Sequence, residues 1–305
     1  MTAQWGRLLT AMITPYDRSG NVDYDKAAGL AQRLLANGSD GVVLAGTTGE
    51  SPVLSSEEKE RLFAAVRDRV GSEGLVIAAT GTNDTRKTVE FTARAARVGV
   101  DGAMVVVPYY NKPSQSGLYA HFRAVADASD LPIMVYNVPS RTGVSIAPPT
   151  MAQIAAIPSV VAVKEASGNV LQVSQLRRLL PEGILVYSGD DPLTLPLLSL
   201  GAHGVVSVAS HVVGRALRAM IEAFVAKETD RALDLHEKLL PLFEAIFWES
   251  NPVPIKVMLD ALGFATGGWR LPLVAPEEGV RARIHETLAA MDAGLLDEQS
   301  DGGGR

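Results

Sequence analysis

Val160-Val161-Ala162-Val163-Lys164 is a run of small and β-branched apolar residues that ends on a single ammonium. A half-solvated strand would alternate apolar with polar side chains. This run does not, so it reads as a strand of a parallel sheet, covered on both faces. Runs of the same kind cover 8–12, 41–45, 75–79, 103–107, 133–137, 185–188 and 204–207, giving eight strand candidates. Segments of helical period lie between them, among them 24–37, 56–70, 85–98 and 170–180, each long enough for the crossover that parallel neighbours require. Ser55 and Glu58 have capping-box spacing ahead of one such segment, and Pro192 after Asp191 suits a helix with proline in its first turn. No Gly-x-Gly-x-x-Gly follows the first run. The alternation therefore predicts an α/β fold, a closed (β/α)₈ TIM barrel, over the alternative of an open doubly wound sheet.

Beyond residue 207 the pattern is helical only, over 212–227, 230–249, 255–262 and 277–293, which exceeds one closing helix. The expected organisation is a barrel over residues 1–229, a C-terminal helical extension over 230–296 and a disordered tail over 297–305, where apolar residues are scarce.

Composition narrows the function. With 305 residues, 47% hydrophobic and 20% charged, the chain matches an ordinary globular protein, and no apolar run approaches the roughly 20 residues that span a bilayer. A net charge of −6 without a basic stripe argues against nucleic acid as a partner. The absence of cysteine excludes disulfides and thiolate chemistry, and Met1–Thr10 lacks the layout of a signal peptide, so the cytoplasm is the expected compartment. His121, His203, His211, His236 and His285 show no metal-ligand spacing, so no metal is expected.

In a barrel the chemistry sits at the C-terminal strand ends. Lys164 would there present an ammonium at the mouth of an apolar interior, where desolvation lowers a lysine towards neutrality and makes it a nucleophile; the alternative is an ion pair with Glu165. The other seven lysines stand in polar or helical contexts. Gly46-Thr47-Thr48-Gly49-Glu50-Ser51 after the second run can converge N–H groups and hydroxyls on a carboxylate, or be an ordinary turn. Tyr109, Tyr110 and Tyr136 place three of seven tyrosines at the rim, as proton relays or as packing, and Arg141 can fork onto a carboxylate or form a structural ion pair. Asp190 and Asp191 follow the seventh run, where phosphate-binding barrels cradle their anion, and so disfavour a phosphosugar. Amine, hydroxyls, anion turn and arginine together suit imine chemistry on a keto acid, with no cofactor.

Gly46-Thr47-Thr48-Gly49-Glu50, Tyr109-Tyr110-Asn111-Lys112-Pro113, Tyr136-Asn137-Val138-Pro139-Ser140-Arg141-Thr142-Gly143 and Val163-Lys164-Glu165-Ala166 resemble the dihydrodipicolinate synthase / N-acetylneuraminate lyase superfamily. The likeness continues through Ser188-Gly189-Asp190-Asp191, Gly204–Val208 and Asn251–Lys256 to Arg270-Leu271-Pro272-Leu273. The Thr-Thr pair and Arg141 are similar to the dihydrodipicolinate synthase branch; a 2-keto-3-deoxy sugar-acid or N-acetylneuraminate aldolase is the alternative within the same chemistry. The resemblance implies that Lys164 forms an imine with pyruvate and that Thr47 and Thr48 hold its carboxylate. It also implies that Tyr136 shuttles protons with Thr48 and Tyr110, that Arg141 orients the carboxylate of L-aspartate 4-semialdehyde, and that Gly189 and Val206 line the lysine through their backbones. Tyr110 would reach a neighbouring subunit's site within a homotetramer of tight dimers. Lysine-inhibited members carry histidines where this chain has Ser56 and Lys59, and a glutamate where it has Lys87, so feedback by lysine is expected to be weak or absent.

Overall fold

The computed structural model describes residues 5–297. Eight parallel strands close into a barrel in sequence order: β1 (Leu8–Ala11), β2 (Gly41–Leu44), β3 (Leu75–Ala79), β4 (Gly102–Val106), β5 (Ile133–Asn137), β6 (Val160–Glu165), β7 (Leu185–Ser188) and β8 (Gly204–Ser207). Closure is made by β8 pairing with β1, Leu9 opposite Val206. The continuous apolar runs have the expected cause. One set of side chains (Leu9, Val43, Ile77, Met104, Met134, Ala162, Val206) fills the barrel, and the other packs beneath the helices. Strand ends differ from the expected ones by a residue or so: β1 stops at Ala11, β4 starts at Gly102, and β6 runs on to Glu165.

Local signals set the crossover helices. Asp23 caps Tyr24–Ala36, and Ser55 with Glu58 forms a reciprocal capping box on Ser56–Val70, its two bonds at 3.1 and 2.9 Å. Pro192 sits in a 3₁₀ turn, Asp191–Leu193, that leads into the helix Thr194–Ser199. After β8 come Ser210–Val225, Thr229–Ala245, Val253–Ala261 and Glu278–Ala290. The helix starting near residue 230 stops at Ala245, and the segment through Asn251 turns back over the open end of the barrel instead of extending it. Asp297 is buried, its carboxylate accepting from the Gly214 and Arg215 N–H groups; residues 298–305 of the expected tail lie outside the described residues. No helix among the described residues is long and apolar enough to cross a membrane.

Candidate active site

A cavity of about 270 Å³ opens at the C-terminal ends of the strands, with Lys164 in its wall. Consecutive strand residues face opposite sides. Lys164 therefore points into the barrel mouth while Glu165 points outward, accepting from Asn137 Nδ2 (3.0 and 3.2 Å) and Ser167 N (2.8 Å), and an ion pair between the two neighbours does not form. Lys164 is 5% exposed, and its ammonium hydrogen-bonds no carboxylate among the described residues. Burial without a partner lowers its pKa to about 8. Asp191, the largest opposing influence, is engaged elsewhere: Ser207 Oγ, Val208 N and Ala209 N all donate to it.

Tyr136 stands opposite Lys164 in the β5–β6 ladder, with the lysine Nζ 4.2 Å from its ring centroid. Burial raises its phenol, and the nearby Arg141 guanidinium and Thr47 hydroxyl work against that rise. Thr48, the expected relay partner, lies on the same cavity wall. Its Oγ1 accepts from Asn251 Nδ2 at 2.9 Å. Tyr110 is not brought to Tyr136 within the chain. Its φ of +73° turns the side chain out, 88% exposed.

The turn itself is tightly held. Ser51 N donates to Gly46 O, Glu50 N to Thr47 O, and Thr14 Oγ1 to Gly49 O at 2.7 Å. A Cβ on Gly49 would stand 3.0 Å from the Ala45 backbone, tighter than most real side-chain contacts, so the turn would have to shift slightly. Glu50 occupies left-handed backbone (φ +56°), fixed there by Lys256 Nζ at 2.6 Å and the Arg270 N–H at 3.1 Å on its two carboxylate oxygens. Gly189 makes room for the lysine, since a Cβ there would lie 2.9 Å from Lys164 Cε. The Val206 side chain belongs to the packed interior beneath, and Val208 lines the cavity wall.

Arg141, on the short helix Pro139–Thr142, lines both this cavity and a second chamber of about 550 Å³. Ser51, Lys59, Asn83, Lys87 and Tyr109 line that outer chamber, where burial lowers Lys59 to about 8. No cluster of three or more metal-binding side chains exists among the described residues. His211, the most enclosed histidine, is structural: its Nε2 accepts from Ile13 N and its Nδ1 donates to Val208 O.

The dihydrodipicolinate synthetase family matches residues 4–291. The chain belongs to this family. It is 53% identical over 288 residues to the 4-hydroxy-tetrahydrodipicolinate synthase of Synechococcus elongatus, covering 94% of this chain and 96% of that one. It is 51% identical to the enzyme of the same name from Desulforamulus reducens over 274 residues, 90% and 93% of the two chains. The structure of the Cyanidioschyzon merolae enzyme with lysine bound superposes with a TM-score of 0.93 at 45% identity, over 96% of this chain and 99% of that one. That of Bacillus anthracis also gives 0.93, at 42% identity over 95% and 99%. A variant described as the first monomeric dihydrodipicolinate synthase gives 0.92 at 36% identity, over 96% and 98%.

Within the family frame, three features escaped the sequence reading. Asn251 reaches Thr48 from 203 residues away, so nothing local announces the contact. Lys256, grouped there with the polar and helical lysines, is fully buried on Glu50; a lone cation inside Val253-Pro254-Ile255-Lys256-Val257-Met258-Leu259 was the signal. Asp190, taken only as an argument against phosphate, lines the cavity, where burial and neighbouring Asp191 raise its carboxyl to about 6.

Proposed function

We propose that this site condenses pyruvate with L-aspartate 4-semialdehyde to 4-hydroxy-tetrahydrodipicolinate, the activity for which the curated relatives are named. The observation that carries the reading is a buried, unpaired lysine facing a cavity, with a phenol at its side and an anion-accepting turn beside it. The neutral Lys164 amine adds to the pyruvate ketone. Tyr136, in contact with Thr47, protonates the departing hydroxyl, and water leaves as the imine forms. Loss of a methyl proton gives an enamine that attacks the aldehyde carbon. The amino group of the acceptor then closes onto the imine carbon and expels Lys164. The Thr47–Thr48 turn holds the pyruvate carboxylate, and Arg141 takes the carboxylate of the acceptor with a guanidinium fork.

The exposed Tyr110 supports an assembly in which its phenol enters a neighbouring subunit's site, in a tetramer of tight dimers. The outer chamber presents Lys59 and Lys87 and no carboxylate, which supports weak or absent inhibition by lysine. An enzyme of this kind works in the cytoplasm. The test is turnover of pyruvate with aspartate semialdehyde, together with borohydride reduction in the presence of pyruvate alone. Turnover and a reduced pyruvate adduct on Lys164 are expected. An adduct without turnover would move the acceptor to a sugar aldehyde, and no adduct would end the imine reading.

A further inference from the structure

The acceptor carries two charges, a carboxylate and an ammonium, and Arg141 accounts for one of them. The cavity wall holds one carboxylate among the described residues, that of Asp190, and the outer chamber holds none. Asp190 follows Gly189 directly after β7, half-buried, on the rim that also carries Lys164. Its backbone is fixed by Ser188, whose Oγ donates to Asp190 O at 2.7 Å and accepts from Asp190 N at 3.2 Å, while the carboxylate itself has no hydrogen-bond partner among the described residues. Asp191 contrasts with it: three donors consume that carboxylate, and it is closed to ligands.

We propose that the Asp190 carboxylate binds the α-ammonium of the acceptor aldehyde, so that Asp190 and Arg141 together select an amino-acid aldehyde over one lacking the amine. The inference rests on the acceptor assigned above. The charge balance of the reaction gives it direction. In the free enzyme the ammonium form of Lys164 is the cation that faces Asp190 and favours its ionised form. Once pyruvate is attached and the imine has lost a methyl proton, the lysine nitrogen is a neutral enamine and that cation is gone. A desolvated carboxylate then stands without a counter-charge beside the cavity, and an incoming ammonium restores it. Binding of the second substrate is thereby coupled to completion of the first half-reaction. A neutral aldehyde, or one bearing only a carboxylate, offers nothing in exchange. When the amine later deprotonates to close the ring, it loses its hold on Asp190, and the product is free to leave.

The experiment compares the unmodified protein with Asp190→Asn and Asp190→Ala, using aspartate semialdehyde as substrate and succinate semialdehyde, which lacks the amine, as competitor. Three quantities are read: KM for aspartate semialdehyde, the inhibition constant of succinate semialdehyde, and the yield of borohydride-trapped pyruvate on Lys164. The expected result for both variants is a KM for aspartate semialdehyde raised about tenfold or more, the size of a charge-assisted bond of about 1.5–3 kcal/mol. The inhibition constant should stay within about twofold of the parent and the trapping yield should not fall. Parallel losses for both aldehydes, a fall in trapping, or an unaltered KM would each overturn the assignment. Absence of turnover in the unmodified protein would instead overturn the function on which it rests.

Discussion

Lys164 and Lys256 are both withdrawn from water, 5% and 0% exposed, and both lie over a tyrosine ring, at 4.2 and 4.3 Å from its centroid. Their chemistry differs because their partners differ. Lys256 Nζ donates to Glu50 Oε1 (2.6 Å), Thr14 O (2.9 Å) and Gly268 O (2.7 Å), which uses all three ammonium hydrogens. Nothing remains to react, and it lines neither of the two chambers that Arg141 borders. Lys164 has the same burial with no such acceptors and an open cavity in front of it. Burial alone does not make a nucleophile; the role proposed for Lys164 also needs an unsatisfied amine beside an open cavity. The structural lysine nevertheless serves the reactive one. By holding Glu50 in left-handed backbone it fixes the turn that carries Thr47 and Thr48 on the cavity wall.

The most direct way to break the contrast is to remove each amine. Lys164→Ala is expected to abolish borohydride trapping and lower turnover by roughly a thousandfold or more, while the thermal midpoint stays close to that of the parent, because the ammonium makes no hydrogen bond to a carboxylate among the described residues. A substantial fall in midpoint would show that Lys164 is structural after all. Lys256→Ala should do the opposite. It leaves the Glu50 carboxylate buried and unpaired, a loss of about 3–5 kcal/mol in urea unfolding. Replacing both partners with apolar residues, Glu50→Leu with Lys256→Met, should restore most of that stability. If the double variant is no more stable than the single one, the pair is not the unit described here.

A smaller effect sharpens the comparison without mutation. Only the neutral amine attacks, so kcat/KM for pyruvate should rise with pH up to the Lys164 pKa of about 8 and level off above it. Below that value the gain is about tenfold per pH unit. A limb near the ordinary lysine value would mean that burial leaves Lys164 unshifted. The smallest effect concerns the outer chamber. Lysine is expected to inhibit only weakly, and a midpoint below millimolar in a steady-state assay would show that Lys59 and Lys87 do not deter it.

Much of this was legible along the chain because it depends on local periodicity. Continuous apolar runs, the 3.6-residue stretches between them and the Ser55–Glu58 cap each act within a few residues, and those segments form the barrel strands and the helix Ser56–Val70. The position of Lys164 at the end of such a run is equally local, since strand alternation and the polarity of a parallel barrel decide which end is the mouth. Direction in space is a different matter. That Asn251 bonds Thr48, that Tyr110 swings out, and that Asp190 and Val208 line the cavity depend on how turns settle against elements far away in sequence. The sequence by itself determined the barrel and the place of Lys164 at its mouth, because pattern and strand polarity are properties of short segments. Tertiary structure alone decided which of two buried lysines is free, because that follows from acceptors supplied by Glu50, Thr14 and Gly268, brought together only when the C-terminal extension packs against the barrel.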